Sequence, residues 1–209
     1  MSVDYRYLEG VRKASFDDVA AAITKVLESE GWVLGGTGGD DTRAIHLAAH
    51  GSWTIIDDPH DMAATRWAAP LASELGLTAI TLRVWSIDGS FDLQRFDGDK
   101  RVGAMEYKGT SDEEEDRSVR VATRFLADLG RGRAKATLEA GLRFDPMDGE
   151  ENMSRIATLV GLPEPLERYT GDTELEGASM IAFRYVGRTR ASSSGPKGKP
   201  RTKARPSKI

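Results

Sequence analysis

No cysteine occurs among the 209 residues. Disulfide scaffolds, thiolate metal centres and cysteine nucleophiles are thereby excluded. Long apolar runs are missing too. No stretch approaches the ~18 apolar residues of a spanning helix, and the opening MSVDYRYLEG lacks the apolar core of a signal peptide. No G-x-S-x-G elbow is present to place a nucleophilic serine. What remains is 39% hydrophobic and 30% charged residues, enough for a packed core and far from a membrane composition. A globular, cytoplasmic protein with no membrane span is the expectation.

Charge is unevenly spread. The net charge is −4, yet from Gly177 onward there are nine bases and no acid, which leaves 33 acids against 20 bases, a formal −13, in residues 1–176. The last stretch, TRASSSGPKGKPRTKARPSKI, carries Lys197, Lys199, Arg201, Lys203, Arg205 and Lys208, and apart from alanine its one apolar side chain is Ile209. Such a segment cannot bury enough surface to offset its ordering entropy, and Pro196, Pro200 and Pro206 break any helix. Residues 1–188 are therefore expected to form one acidic domain and 189–209 a disordered basic tail. The tail could attach weakly to nucleic acid by counterion release, without sequence readout, but no aromatic interleaves its bases to stack on single strands.

Within the domain, Tyr5 to Val11 alternates like a strand, and Ser15 can cap a helix with Phe16, Val19, Ala20, Ile23, Val26 and Leu27 on one face. Gly31 ends it, and Trp32-Val33-Leu34 enters a second strand. Extended segments are expected over Arg43–Ala49 and Ser52–Asp57, then a helix from Asp61 to Leu75 that Pro70 must kink or restart. The clearest pattern is a three-strand meander over about 77–107, with turns at Asp88-Gly89 and Asp97-Gly98-Asp99. Ser111 and Glu114 form a capping box for another helix, Ala134–Leu142 and Asn152–Leu162 suggest two more, and Ser179–Gly187 a final strand. Helices and antiparallel hairpins mix without a βαβ rhythm, so the class is α+β, a mostly antiparallel sheet packed by helices.

Several constellations invite chemistry. His46, His50 and His60 lie within fifteen residues, but on a strand the first two are too far apart to chelate one ion simply, and HLAAH lacks the glutamate of a zincin helix. Hydrogen-bonding strand and turn histidines are the simpler account, and no metal or cofactor is expected. GGTGGDD carries no Gly-Lys-Ser/Thr and ends in two aspartates that would repel phosphate. Asp92 or Asp97, followed by Glu106 and Lys108 on the next strand, follows the order that many metal-dependent nucleases use to hold Mg²⁺ and steady the scissile phosphate. A surface ion pair is the bland alternative. The run Asp112, Glu113, Glu114, Glu115 and Asp116 suits a helix N-terminus, where negative charge meets the macrodipole.

The stretches around Trp53 and Asp57, Leu71 and Ser73, Asp88 and the Phe96-Asp97-Gly98 turn, and Leu159, Gly161, Leu162 and Pro163 resemble small bacterial proteins of the toxin-immunity type. The likeness covers roughly half the chain, is confined to the fold, and carries over no catalytic residue. It implies a non-catalytic protein that occludes a basic protein partner, a toxin in its most concrete form. An acidic body associates quickly with such a partner through complementary fields. The expected contact surface is acidic: Asp57, Asp58 and Asp61, the Asp97 and Asp99 turn, and Asp112 to Asp116. An enzyme built on Asp92 or Asp97, Glu106 and Lys108, and an accessory protein tethered to nucleic acid by its tail, are the alternatives.

Overall fold

Strand β1 (Tyr5–Arg12) runs through the middle of the molecule and organises everything around it. The computed structural model describes residues 5–35, 42–60, 66–85, 91–107, 154, 157, 158, 161–163, 166–167 and 175–187. After β1 come α1 (Phe16–Glu30), β2 (Trp32–Leu34), β3 (Thr42–His50), β4 (Trp53–Asp57) and α2 (Ala68–Leu75). The meander follows as β5 (Thr78–Trp85), β6 (Phe91–Asp97) and β7 (Lys100–Tyr107), then the two-residue β8 (Leu166–Glu167) and β9 (Ser179–Tyr185). The strands form one antiparallel sheet in the order β2-β9-β3-β4-β1-β5-β6-β7, and this α+β architecture agrees with the sequence pattern. β5 pairs with β1 from Tyr5 to Val11 while β4 covers only Glu9 to Arg12, so β8 fills the vacated side at Arg6 and Tyr7.

Local chemistry sets the helix ends. The Ser15 hydroxyl accepts the Asp18 N–H at 3.1 Å, as a cap should, and Asp17 and Asp18 place negative charge in the first turn. Gly31 then takes a left-handed φ of 99° and turns the chain into β2. α2 is the second half of the helix expected from Asp61. Pro70 falls in its first turn, where a missing N–H costs nothing, so the proline restarts a helix rather than kinking one. Residues 61–65, the Asp88-Gly89 turn and the helices expected from Ser111 and Ala134 lie outside the described residues. Of the helix expected over Asn152–Leu162, Ser154, Ala157 and Thr158 are described, and all three are helical.

The helices pack on one face of the sheet. Val19, Ile23 and Leu27 from α1 and Leu71 from α2 meet Val11, Ile45, Ile56 and Phe183 from the strands, all essentially inaccessible. Each such side chain contributes about 1.5–3 kcal/mol of transfer free energy. The opposite face is dry as well in the middle of the sheet, where Leu8, Trp53, Ile55, Ile80, Leu82 and Leu93 are buried. Gly10 makes room there: a Cβ on it would stand 3.1 Å from Ile55 Cδ1 and 3.4 Å from a Trp53 ring carbon. Burial on both faces explains why Trp53 to Ile56 is a continuous apolar run with one threonine rather than an alternating strand.

Candidate functional site

Several regions of the described structure hold chemistry beyond an apolar core. The first is a polar hub beneath α2. Glu9 projects from β1 onto the helix face, and its Oε1 accepts the backbone N–H groups of Trp67 and Ala68 at 3.0 and 3.1 Å. Trp67, at the N-cap position, offers no side-chain cap of its own. A carboxylate 58 residues upstream does that job and places negative charge at the dipole's positive end.

Asp58 is the hub's other anchor. It accepts the Arg43 guanidinium through Nε at 3.2 Å and also through Nη2, the Trp67 indole N–H at 2.8 Å and the His60 backbone N–H at 3.1 Å. Asp57 accepts the Tyr7 hydroxyl. The guanidinium carbons of Arg43 and Arg66 stand 5.6 and 5.0 Å from the Trp67 ring centroid, and Arg66 also pairs with Glu30 at the end of α1. The hub ties β1, β3, β4 and both helices together through these hydrogen bonds, ion pairs and guanidinium–ring contacts.

This burial corrects part of the expected acidic surface. Asp57 is 5% and Asp58 2% exposed, so neither carboxylate is available to a partner. Asp97 is half-buried, held by Thr78 Oγ1 at 2.7 Å and by Arg95 through Nε at 3.1 Å and Nη2 at 2.9 Å. Asp99 is exposed. Asp61, Asp112, Glu113, Glu114, Glu115 and Asp116, and the tail residues Lys197, Lys199, Arg201, Lys203, Arg205 and Lys208, lie outside the described residues. His46 is half-buried on β3 opposite Asp57, while His50 and His60 are exposed. Among the described residues no group of three or more histidine or acidic side chains could hold a metal ion.

The nuclease-like constellation is brought together only in part. Glu106 occupies the register position opposite Asp92, and Lys108 lies outside the described residues. Asp97, five residues along β6, belongs to the opposite face, with Arg95. Asp92 itself is buried, its Oδ2 engaged by Arg83 at 2.7 Å and Gln94 at 3.0 Å. A carboxylate so placed is poorly suited to hold a hydrated cation beside a bulky phosphate substrate.

The second region is an open groove at the other end of the sheet. Phe16, Ala20 and Thr24 recur every four residues along α1 and form one wall; Leu34, Met180 and Ile181 from β2 and β9 form the other. The groove holds about 540 Å³. Leu34 is 60% and Met180 56% exposed. Comparison with family models, curated proteins and solved structures returns no match. The groove went unseen in the sequence because α1, β2 and β9 each look ordinary alone. Only the pairing of Leu34 with Phe183 across β2 and β9 assembles the strand wall that faces α1.

Proposed function

We propose that this protein acts by binding a protein partner, without catalysis, at the α1–β2–β9 end of its sheet. Occlusion of a toxin is the most concrete version, since the sequence resembles proteins of the immunity type. The observation that carries the reading is the pair of exposed apolar side chains that line the groove, Leu34 and Met180. Isolated exposed apolar residues need no explanation, but exposed apolar side chains that line a concave apolar groove have the composition of an interface core. The partner's chemistry follows from the rim. Glu28 lines the groove exposed, the Lys25 that lines it too is paired with Glu74 at 2.5 Å, and Asp17 and Asp18 add exposed negative charge at the start of α1. An apolar segment flanked by lysine or arginine fits that surface.

The test begins with capture of partners from the host lysate by the tagged chain, before and after nuclease treatment. A stoichiometric protein that survives nuclease is then purified and its affinity measured. Replacing Leu34 and Met180 together by aspartate should weaken binding by roughly 100-fold, the order of two interface anchors, with an unchanged far-ultraviolet spectrum. A toxin partner should arrest growth when expressed without this protein. Equal binding by the double variant, or capture that vanishes with nuclease, would sink the reading.

A further inference from the structure

A second concavity, of about 430 Å³, opens at the far end of β1, where three separate stretches of chain converge. Arg12 and Lys13 come from the end of β1, Gly76, Leu77 and Thr78 from the passage between α2 and β5, and Asp97 and Gly98 from the β6–β7 turn. Consecutive residues of a strand point to opposite faces, yet Arg12 and Lys13 line the same cavity. The reason is in the backbone. Lys13 has φ of +60°, the one non-glycine residue with positive φ among those described, and its N–H donates to Ser52 O at 2.6 Å. A lysine gains nothing by itself from the left-handed region, and such conformations gather at ligand-binding positions.

The walls suit an anion. Two cations face one carboxylate, and that carboxylate, Asp97, already accepts hydrogen bonds from Arg95 and Thr78. The Arg12 guanidinium carbon lies 6.0 Å from the Trp53 ring centroid, which holds a flexible side chain in place before any ligand arrives. Gly76 and Gly98 both have positive φ, and a Cβ on Gly76 would meet nothing within 4 Å, so the backbone there is open to a ligand. The volume is that of a small-molecule site.

We propose that this cavity binds the oxyanion of a small ligand, a phosphate or a carboxylate, through Arg12 and Lys13. The site lies apart from the apolar groove and does not depend on the partner-binding reading. Titration of the full chain with inorganic phosphate, and separately with succinate, at constant ionic strength set by sodium chloride, should show saturable heat with at least one of the two. Phosphate alone would identify a phosphorylated ligand and succinate alone a carboxylate. Affinity should fall at least tenfold in Arg12→Gln and in Lys13→Gly, and stay unchanged in Lys25→Gln. Glycine accepts the backbone conformation of Lys13, so Lys13→Gly should melt no lower than the parent, and its loss of binding cannot be ascribed to unfolding. Absence of saturable binding with both anions would overturn the proposal. So would binding that persists in Lys13→Gly, which would place the anion on other bases of the chain.

Discussion

The centre of the sheet and its β2–β9 end use the same kinds of residue in opposite ways. At the centre, carboxylates go inside: Glu9, Asp57 and Asp58 are buried and hydrogen-bonded to Trp67, Tyr7 and Arg43. At the end, apolar side chains stay outside, and the acids of α1 remain in water. The two sheet edges sharpen the contrast. β7 carries Lys100 and Arg101 exposed at its start and a register shift opposite Arg95 and Phe96, features that discourage edge-to-edge pairing. Among the described residues, β2 is protected by its three-residue length, beside exposed Leu34. A chain that merely needed to stay folded and soluble would hide the apolar side chains and leave the acids in water. The inversion separates residues that hold the fold from residues free to meet something else.

The contrast breaks most violently at Asp58. Replacing it by alanine strands the Arg43 guanidinium, whose side chain is 6% exposed, without its counter-ion. The expected loss is about 3–5 kcal/mol, as for other broken buried pairs, and urea unfolding would read it directly. Arg43→Met with Asp58→Leu removes both charges and should recover most of that stability. A double variant as unstable as the sum of the two singles would show that the pair is not coupled.

Glu9→Ala comes next. It leaves the N–H groups of Trp67 and Ala68 buried without their carboxylate acceptor, a loss of about 1–3 kcal/mol. Glu9→Gln keeps an acceptor oxygen and removes only the charge–dipole attraction, so it should fall below about 2 kcal/mol. If both variants melt with the parent, the cap from β1 contributes nothing and α2 is held by packing alone.

Most of the meander is legible from alternation, because Ile80 and Leu82 lie on one face and the Asp97-Gly98 turn closes the hairpin locally. The Ser15 cap and Gly31 stop are legible for the same reason: each acts within a few residues of itself. The start of α2 and the burial of Asp57 and Asp58 depend on partners in distant strands, so local polarity pointed the acids toward water. One signal was present. A strand that is apolar without alternation, as Trp53 to Ile56 nearly is, must be covered on both faces, and here the acids directly after it are drawn in with it. β8 is two residues long and has no period to detect.

The smallest effect on stability should come from the end of the sheet, and its smallness is the informative part. Leu71, buried in the core, should cost about 2–5 kcal/mol as alanine. Leu34→Ala, at a side chain 60% exposed, should stay within about 0.5 kcal/mol of the parent. Urea midpoints for the two variants make the comparison directly. A loss at Leu34 approaching that at Leu71 would mean that this leucine belongs to the fold, and the groove it lines would no longer mark a contact surface. A near-zero loss, together with weakened partner binding, leaves recognition as the reason for a leucine in water at the edge of the sheet.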